Sequence, residues 1–451
     1  MADRIAQYID ANQDRFIEEL KQWMRFPSVS AQRQHDPDTR ACAQWLVDHF
    51  RKLGLEAGLV DVGGQPIVRA STRGKSARRV VIYGHYDVQP EDPLSEWQTP
   101  PFEPTIRDGI LYGRGATDDK GQVFTHVKAV ETLLKTEGRL PCEVLFLLEG
   151  EEESGGDALA RYVSQAKDEL KPDAVVVSDS TMYDENTPAI TYGLRGIVAF
   201  EFTVRGPNAD VHSGAYGGAI ANPAMVLARI LADCVTPDGK ILVSHFYDDV
   251  APLEDWERES YRKLNFNDQA LAKELNVPKL HGEAGYSTLE RLWARPTFEI
   301  NGLFGGYQGE RSKTIIPSFA TAKVSARLVP HQNPERTRDL IFDHIRSVCP
   351  DTVRLEMSDF MSSPPVLFDV NNPAIRAAQE ALRKGFGRET AFIRCGGSIP
   401  VVSTFVEQLR CPVVLMGFGL DSDRPHGPNE HFSLDSFLRG AKSAAYLLRM
   451  I

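Results

Sequence analysis

The chain has 451 residues, 42% hydrophobic and 25% charged, with 35 Gly and 28 Pro, ordinary globular proportions that exclude disorder, collagen-like repeats and a disulfide scaffold. With 51 basic against 62 acidic residues the net charge is −11, which repels phosphate backbones and anionic lipid and sets nucleic acid and membrane aside as partners. A single core rarely grows past roughly 250–300 residues, so two domains are expected.

The apolar runs, such as 80–83, 144–148 and 413–416, fall far short of the roughly 20 residues needed to cross a bilayer. The opening MADRIAQYIDANQDRF is polar and lacks the apolar segment of a secretory signal. Six scattered cysteines without a CxxC read as buried, reduced thiols in a cytoplasmic protein.

In chain order, apolar β-branched runs at 79–84, 143–148 and 174–178 predict buried parallel strands, separated by helices near 119–136 and 156–168. A strand at 197–205, a helix from Asn222-Pro223, strands near 297–304 and 319–328, a helix at 334–348 and a strand at 352–358 follow. That β-α-β-β-α-β order is the ferredoxin-like, split βαβ arrangement, interrupted by a segment at 236–296. A helix near 373–385, a strand at 412–418 and a last amphipathic helix from about 433 return to the first pattern. The expected fold is therefore α/β. A larger, discontinuous domain, residues 1–195 and 369–451, carries a mixed, mostly parallel sheet flanked by helices. A smaller α+β domain, residues 196–368, is inserted into it.

Four polar clusters stand just past the carboxyl ends of predicted strands: GHYD at 84–87, EGEEESGG at 149–156, Asp179, and RPHGPNE at 424–430. A fifth, GRGATDDKG at 113–121, leads into a helix. Open α/β sheets bind ligands at that edge, so the clusters can converge. Singly, each has an ordinary explanation: a core histidine, a helix cap, a solvated charge run. Jointly they supply two histidines and several carboxylates with no cysteine, the donor set of Zn, Mn or Co. Such a cluster repels itself unless cations neutralise it. A dinuclear site does so, with one carboxylate bridging two ions roughly 3.5–4 Å apart.

The set GHYDV, GRGATDDKG, EGEEESGG, VVVSDS and PHGPNE resembles the co-catalytic zinc metallopeptidase family. That family includes carnosine dipeptidases, bacterial dipeptidases, glutamate carboxypeptidase, aminoacylases, acetylornithine deacetylase and succinyl-diaminopimelate desuccinylase. The resemblance implies two divalent ions per chain, most readily Zn, with Mn or Co as alternatives. It implies that His85 and Asp179 bind one ion and Glu153 and His426 the other, with Asp118 bridging and a cis peptide bond between Asp118 and Asp119. Asp87 is then the carboxylate that orients His85, and Glu152 the general base acting on a metal-bridging water. Three consecutive glutamates make the register a choice; the family pair directly precedes Ser-Gly, which selects Glu152 and Glu153 over Glu151.

ITYGLRG (190–196), DVHSGAYGG (210–218), KTIIP (313–317), SARLVP (325–330) and GGSIP (396–400) resemble the carnosine-dipeptidase-like branch most closely. There the inserted domain is a lid and dimerisation domain, and His212 reaches across a homodimer to the oxyanion. Thr314, Arg327, Ser398 and Arg195 are implied substrate contacts, Arg327 through a bidentate grip on a carboxylate. Relatives often carry an acid where Cys395 stands, which bears on how a substrate amine is held. The implied activity is hydrolysis of dipeptides. An N-acyl amino acid deacylase or desuccinylase is the enzymatic alternative, and a non-catalytic binding protein the other.

Overall fold

The computed structural model describes residues 3–72, 78–397 and 399–451. The chain divides into two compact units, one of Met1–Tyr192, Phe368–Ile393 and Thr404–Ile451, the other of Gly193–Leu367 and Arg394–Ser403.

The first unit is built on a mixed sheet. Its strands lie in the order Glu56–Val60, Ile67–Ser71, Glu143–Glu149, Arg79–His85, Ala174–Val177, Val413–Leu415, Ala189–Leu194. The four central strands are parallel, and antiparallel neighbours flank them on both sides. The central strands are runs of Val, Ile and Leu because helices and sheet bury them on both faces. Register then fixes the edge: His85 pairs with Glu149, and Tyr83 with Val177, so three carboxyl ends finish in one row.

The helix Lys120–Glu137 returns the chain along this sheet, its first fourteen residues all buried. It ends at Gly138, whose φ of 72° permits the left-handed cap in which its N–H reaches Leu134 O. Its N-terminal end is the loop carrying Asp118 and Asp119, and their peptide bond is cis. One continuous apolar core runs through this unit, from Ile5 to Leu448.

The second unit has an antiparallel four-stranded sheet in the order Thr297–Gly305, Phe319–Leu328, Gly196–Arg205, Arg354–Ser363. Helices Pro223–Cys234 and Pro334–Val348 start alike, with Asn222 and Asn333 capping and Pro in the first turn. Their apolar stripes, including Ile230, Ile341 and Ile345, pack on Val198, Phe200, Phe202 and Val204. Between the first helix and the strand Thr297–Gly305 lie three further short helices. Residues 394–403, expected in the closing segment of the catalytic domain, group with this unit instead. A buried ion pair between Arg394 and Glu257, and hydrogen bonds from Arg195 to Cys395 O and Gly396 O, join that segment to the unit.

Candidate metal centre

Five loops of the first unit bring their polar side chains together. The ligand-capable atoms of His85, Asp118 and Asp179 lie within 4.8 Å of one another, as do those of Asp118, Glu153 and His426. A third overlapping set is His85, Glu152 and Glu153. Asp118 stands between two imidazoles: its Oδ1 is 3.1 Å from His85 Nε2 and its Oδ2 is 2.9 Å from His426 Nε2. His426 Nε2 is also 3.4 Å from Glu153 Oε2.

His85 is fully buried at the end of its strand. Its Nδ1 lies 3.1 Å from the backbone carbonyl of Asp87 and 3.4 Å from Asp87 Oδ1. The carbonyl, then, is the nearer acceptor for the Nδ1–H, which leaves Nε2, now 3.1 Å from Asp118 Oδ1, as the atom that would offer its lone pair to an ion once its proton is lost. Glu153 is steered by Gln89, which donates to its Oε2 at 2.7 Å.

The electrostatics are those of carboxylates packed too close to share charge. Burial, then Asp118, pushes the Glu153 carboxyl up to about 9 and that of Asp179 up to about 7. Burial also raises Glu152. In the opposite direction, the hydrogen bonds from His426 and His85 outweigh burial and hold Asp118 well below the usual carboxylate range. Hydrogen bonding to Asp118 lifts His426 to about 9. Two divalent cations would relieve this repulsion, and His₂-carboxylate donors suit them. The donor set fits.

Glu151 turns the other way. Its side chain lies against Gly64 and Gly156, where an added Cβ would come within 2.3 Å of it, and it belongs to none of the ligand-capable groups among the described residues. Glu152 and Glu153, in the short turn that follows, are the pair facing the histidines.

A frame that no single motif reveals lies beneath these candidate ligands. Glu430, fully buried, accepts from Arg114 Nη1 at 2.8 Å and from the N–H groups of Gly115, Thr117 and Asp118 at 2.9, 3.0 and 3.0 Å. Arg114 also donates to the His426 carbonyl at 3.2 Å, so one buried ion pair fixes both the Asp118 loop and the His426 loop. His426 itself has φ 62°, and Arg424 and Asn429 are likewise left-handed, which the frame must hold in place. Arg114 and Glu430 stand inside GRGATDDKG and PHGPNE, so the signal in the sequence is an Arg and a Glu of opposite charge, one in each of two motifs.

In the second unit, strands Val211–His212 and Ile315–Ile316 pair so that His212 lies opposite Ile315, next to Thr314, whose carbonyl accepts from Ser213 N–H at 3.0 Å. His212 is exposed, and its Nδ1 accepts from Gly214 N–H at 3.0 Å. A neutral ring therefore carries its proton on Nε2. Arg195 donates to Gly396 O at 2.9 Å, and burial together with Arg327 lowers its guanidinium to about 10. Arg327 lies on the strand Phe319–Leu328. Ser398 lies outside the described residues.

Residues 81–450 match the family model described as peptidase family M20/M25/M40. A Beta-Ala-His dipeptidase of Homo sapiens is 33% identical over 100% of this chain and 93% of its own length. A Cys-Gly metallodipeptidase of Schizosaccharomyces pombe is 32% identical over 98% and 96%. Among solved structures, an M20 family metallo-carboxypeptidase of Sulfolobus solfataricus superposes with a TM-score of 0.86 at 31% identity, covering 96% of this chain and 98% of that one.

Proposed function

The chain belongs to peptidase family M20/M25/M40 and is a peptide hydrolase, and from that premise we propose a dinuclear metal-dependent dipeptidase. The observation that carries this reading is Asp118 placed between His85 and His426, with Asp179, Glu152 and Glu153 within ligand reach. His85 and Asp179 would hold one ion, Glu153 and His426 the other, and Asp118 both. Zinc suits the nitrogen and oxygen donors, as would Mn or Co. When bound, the ions supply the charge that activates water and polarises the scissile carbonyl.

The remaining steps fall to the chain's own side chains. Glu152 takes a proton from the attacking water and passes it to the leaving amine, a role its burial-raised basicity suits. Asp87 orients His85. His212 donates its Nε2–H to the developing oxyanion. Arg327 and Arg195 receive a substrate carboxylate, and Thr314 and Ser398 are further proposed substrate contacts. A thiol at Cys395 leaves the substrate amine without an acidic partner at that position.

The second unit is read as a ferredoxin-like lid and dimerisation domain. Its edge strand Thr297–Gly305 exposes Ile300, Leu303 and Phe304, apolar side chains along an edge paired on one side only, which favour a homodimer through this domain. Among the described residues no helix is long and apolar enough to cross a membrane, and with the reduced-thiol pattern the proposed location is the cytoplasm. The deciding assay compares unblocked dipeptides with N-acetyl and N-succinyl amino acids. Faster turnover of the dipeptides is expected; a preference for the N-acyl amino acids would make the protein a deacylase.

A further inference from the structure

Asp87 is fully buried, and its one carboxylate touches ligands of both metal positions. Its Oδ1 lies 3.4 Å from His85 Nδ1, while its Oδ2 accepts the backbone N–H of Glu153 at 3.0 Å. The same Oδ2 accepts a third group, the hydroxyl of Ser30, at 2.6 Å. Ser30 comes from a segment far from these motifs in sequence, ahead of the residues that the family model matches.

That segment is strapped beside the metal loops by its neighbours. Lys120, the first residue of the helix after Asp118–Asp119, donates to Phe26 O at 2.8 Å. Ser28 donates to Tyr86 O at 2.6 Å, and its own carbonyl accepts from Val88 N–H at 2.9 Å. Ser30 is thereby delivered to Asp87 from a fixed backbone rather than a free loop.

On the proposed two-ion reading, which this argument rests on, we infer that Ser30 is a positioning residue that couples the two metal sites through Asp87. The torsion that turns an aspartate carboxylate is broad and weakly restrained. With Ser30 and Glu153 N–H both on Oδ2, that plane is set, and the negative Oδ1, which has no hydrogen-bond partner of its own among the described residues, stays 3.4 Å from His85 Nδ1 while the Asp87 carbonyl takes the nearer 3.1 Å contact. Removing the hydroxyl frees the plane to rotate. His85 and the Glu153 turn then lose a shared reference, so both ions are affected although Ser30 is a ligand of neither.

The test is a Co(II) titration of metal-stripped wild type, S30A and S30T, read by the visible absorption of each bound ion. S30A is expected to weaken both sites together, by the roughly 10–100-fold typical of lost outer-layer contacts. S30T keeps the hydroxyl and is expected to restore both. Unchanged affinities in S30A, weakening at one site alone, or no rescue by S30T would each overturn the inference. If S30A does not fold, S30C against S30T makes the same comparison, since a thiol is a poor donor. A wild type that fails to bind two ions contradicts the two-ion reading itself, a result distinct from any of these.

Discussion

Glu430 accepts the backbone N–H of Asp118 at 3.0 Å, while the Asp118 side chain reaches toward both histidines. The residue read as the shared metal bridge is thus aimed by an ion-paired carboxylate from the far end of the chain. Replacing Glu430 by Gln leaves Arg114 buried without its counter-charge. Breaking a buried pair in this way costs about 3–5 kcal/mol. Denaturant unfolding should show that loss, and metal content after dialysis should fall with it.

Glu152→Gln is expected to keep both ions but lower turnover by roughly 10²–10⁴-fold, the usual contribution of a general base. Glu153→Gln should weaken one ion. Glu151→Gln should leave turnover nearly intact, because that side chain packs against Gly64 and Gly156 instead. Metal analysis beside steady-state kinetics separates the three. If Glu151→Gln is the variant with both ions and no turnover, the register is shifted by one.

Stripped of metal, the protein should lose stability as pH rises from about 6.5 to 9. Glu153 and His426 are lifted to about 9, Glu149 to about 8 and Asp179 to about 7, so the folded state holds protons that the unfolded chain releases. His126 and His49, which burial lowers to about 3 and about 4, change stability only on the acid side of this window. Bound ions displace the extra protons at their ligands, and the decline should shrink. Melting temperatures across this range, with chelator and with metal, check it; a rising curve with chelator would contradict it.

His212 is expected to act on the partner's site. Mixing inactive His212→Ala and Glu152→Ala subunits forms heterodimers in which one site is whole. Random exchange makes half the dimers mixed, so activity should recover to about a quarter of wild type if the sites are independent. With exchange verified by a tag, no recovery would place His212 in its own subunit's site.

Much of this was legible because burial on both faces forces the central strands into continuous apolar runs. The stretch 79–84 emerges as Arg79–His85 and 174–178 as Ala174–Val177, each followed at once by its polar cluster. The edge strand Glu56–Val60 carries a weaker signal, since Glu56, Ala57 and Gly58 lie at a half-exposed edge where neither alternation nor an apolar run is required. Motif spacing named the candidate ligands, His85, Asp118, Glu153, Asp179 and His426, which fall in the overlapping ligand-capable groups. It could not reveal that the nearer acceptor for His85 Nδ1 is the Asp87 carbonyl, nor that Glu430 holds Asp118, because both are backbone contacts that side-chain types do not encode. The Ser30 contact was equally hidden, a single hydroxyl in an unremarked segment.

The most direct measurement is metal stoichiometry against activity. The protein is stripped with chelator, and Zn, Mn or Co is returned in fractions of an equivalent while dipeptide hydrolysis is followed. Five ligands sharing Asp118 predict no hydrolysis in the stripped protein and full activity only as the second equivalent per chain is bound. Full activity without metal, or saturation at one equivalent, would contradict the two-ion account.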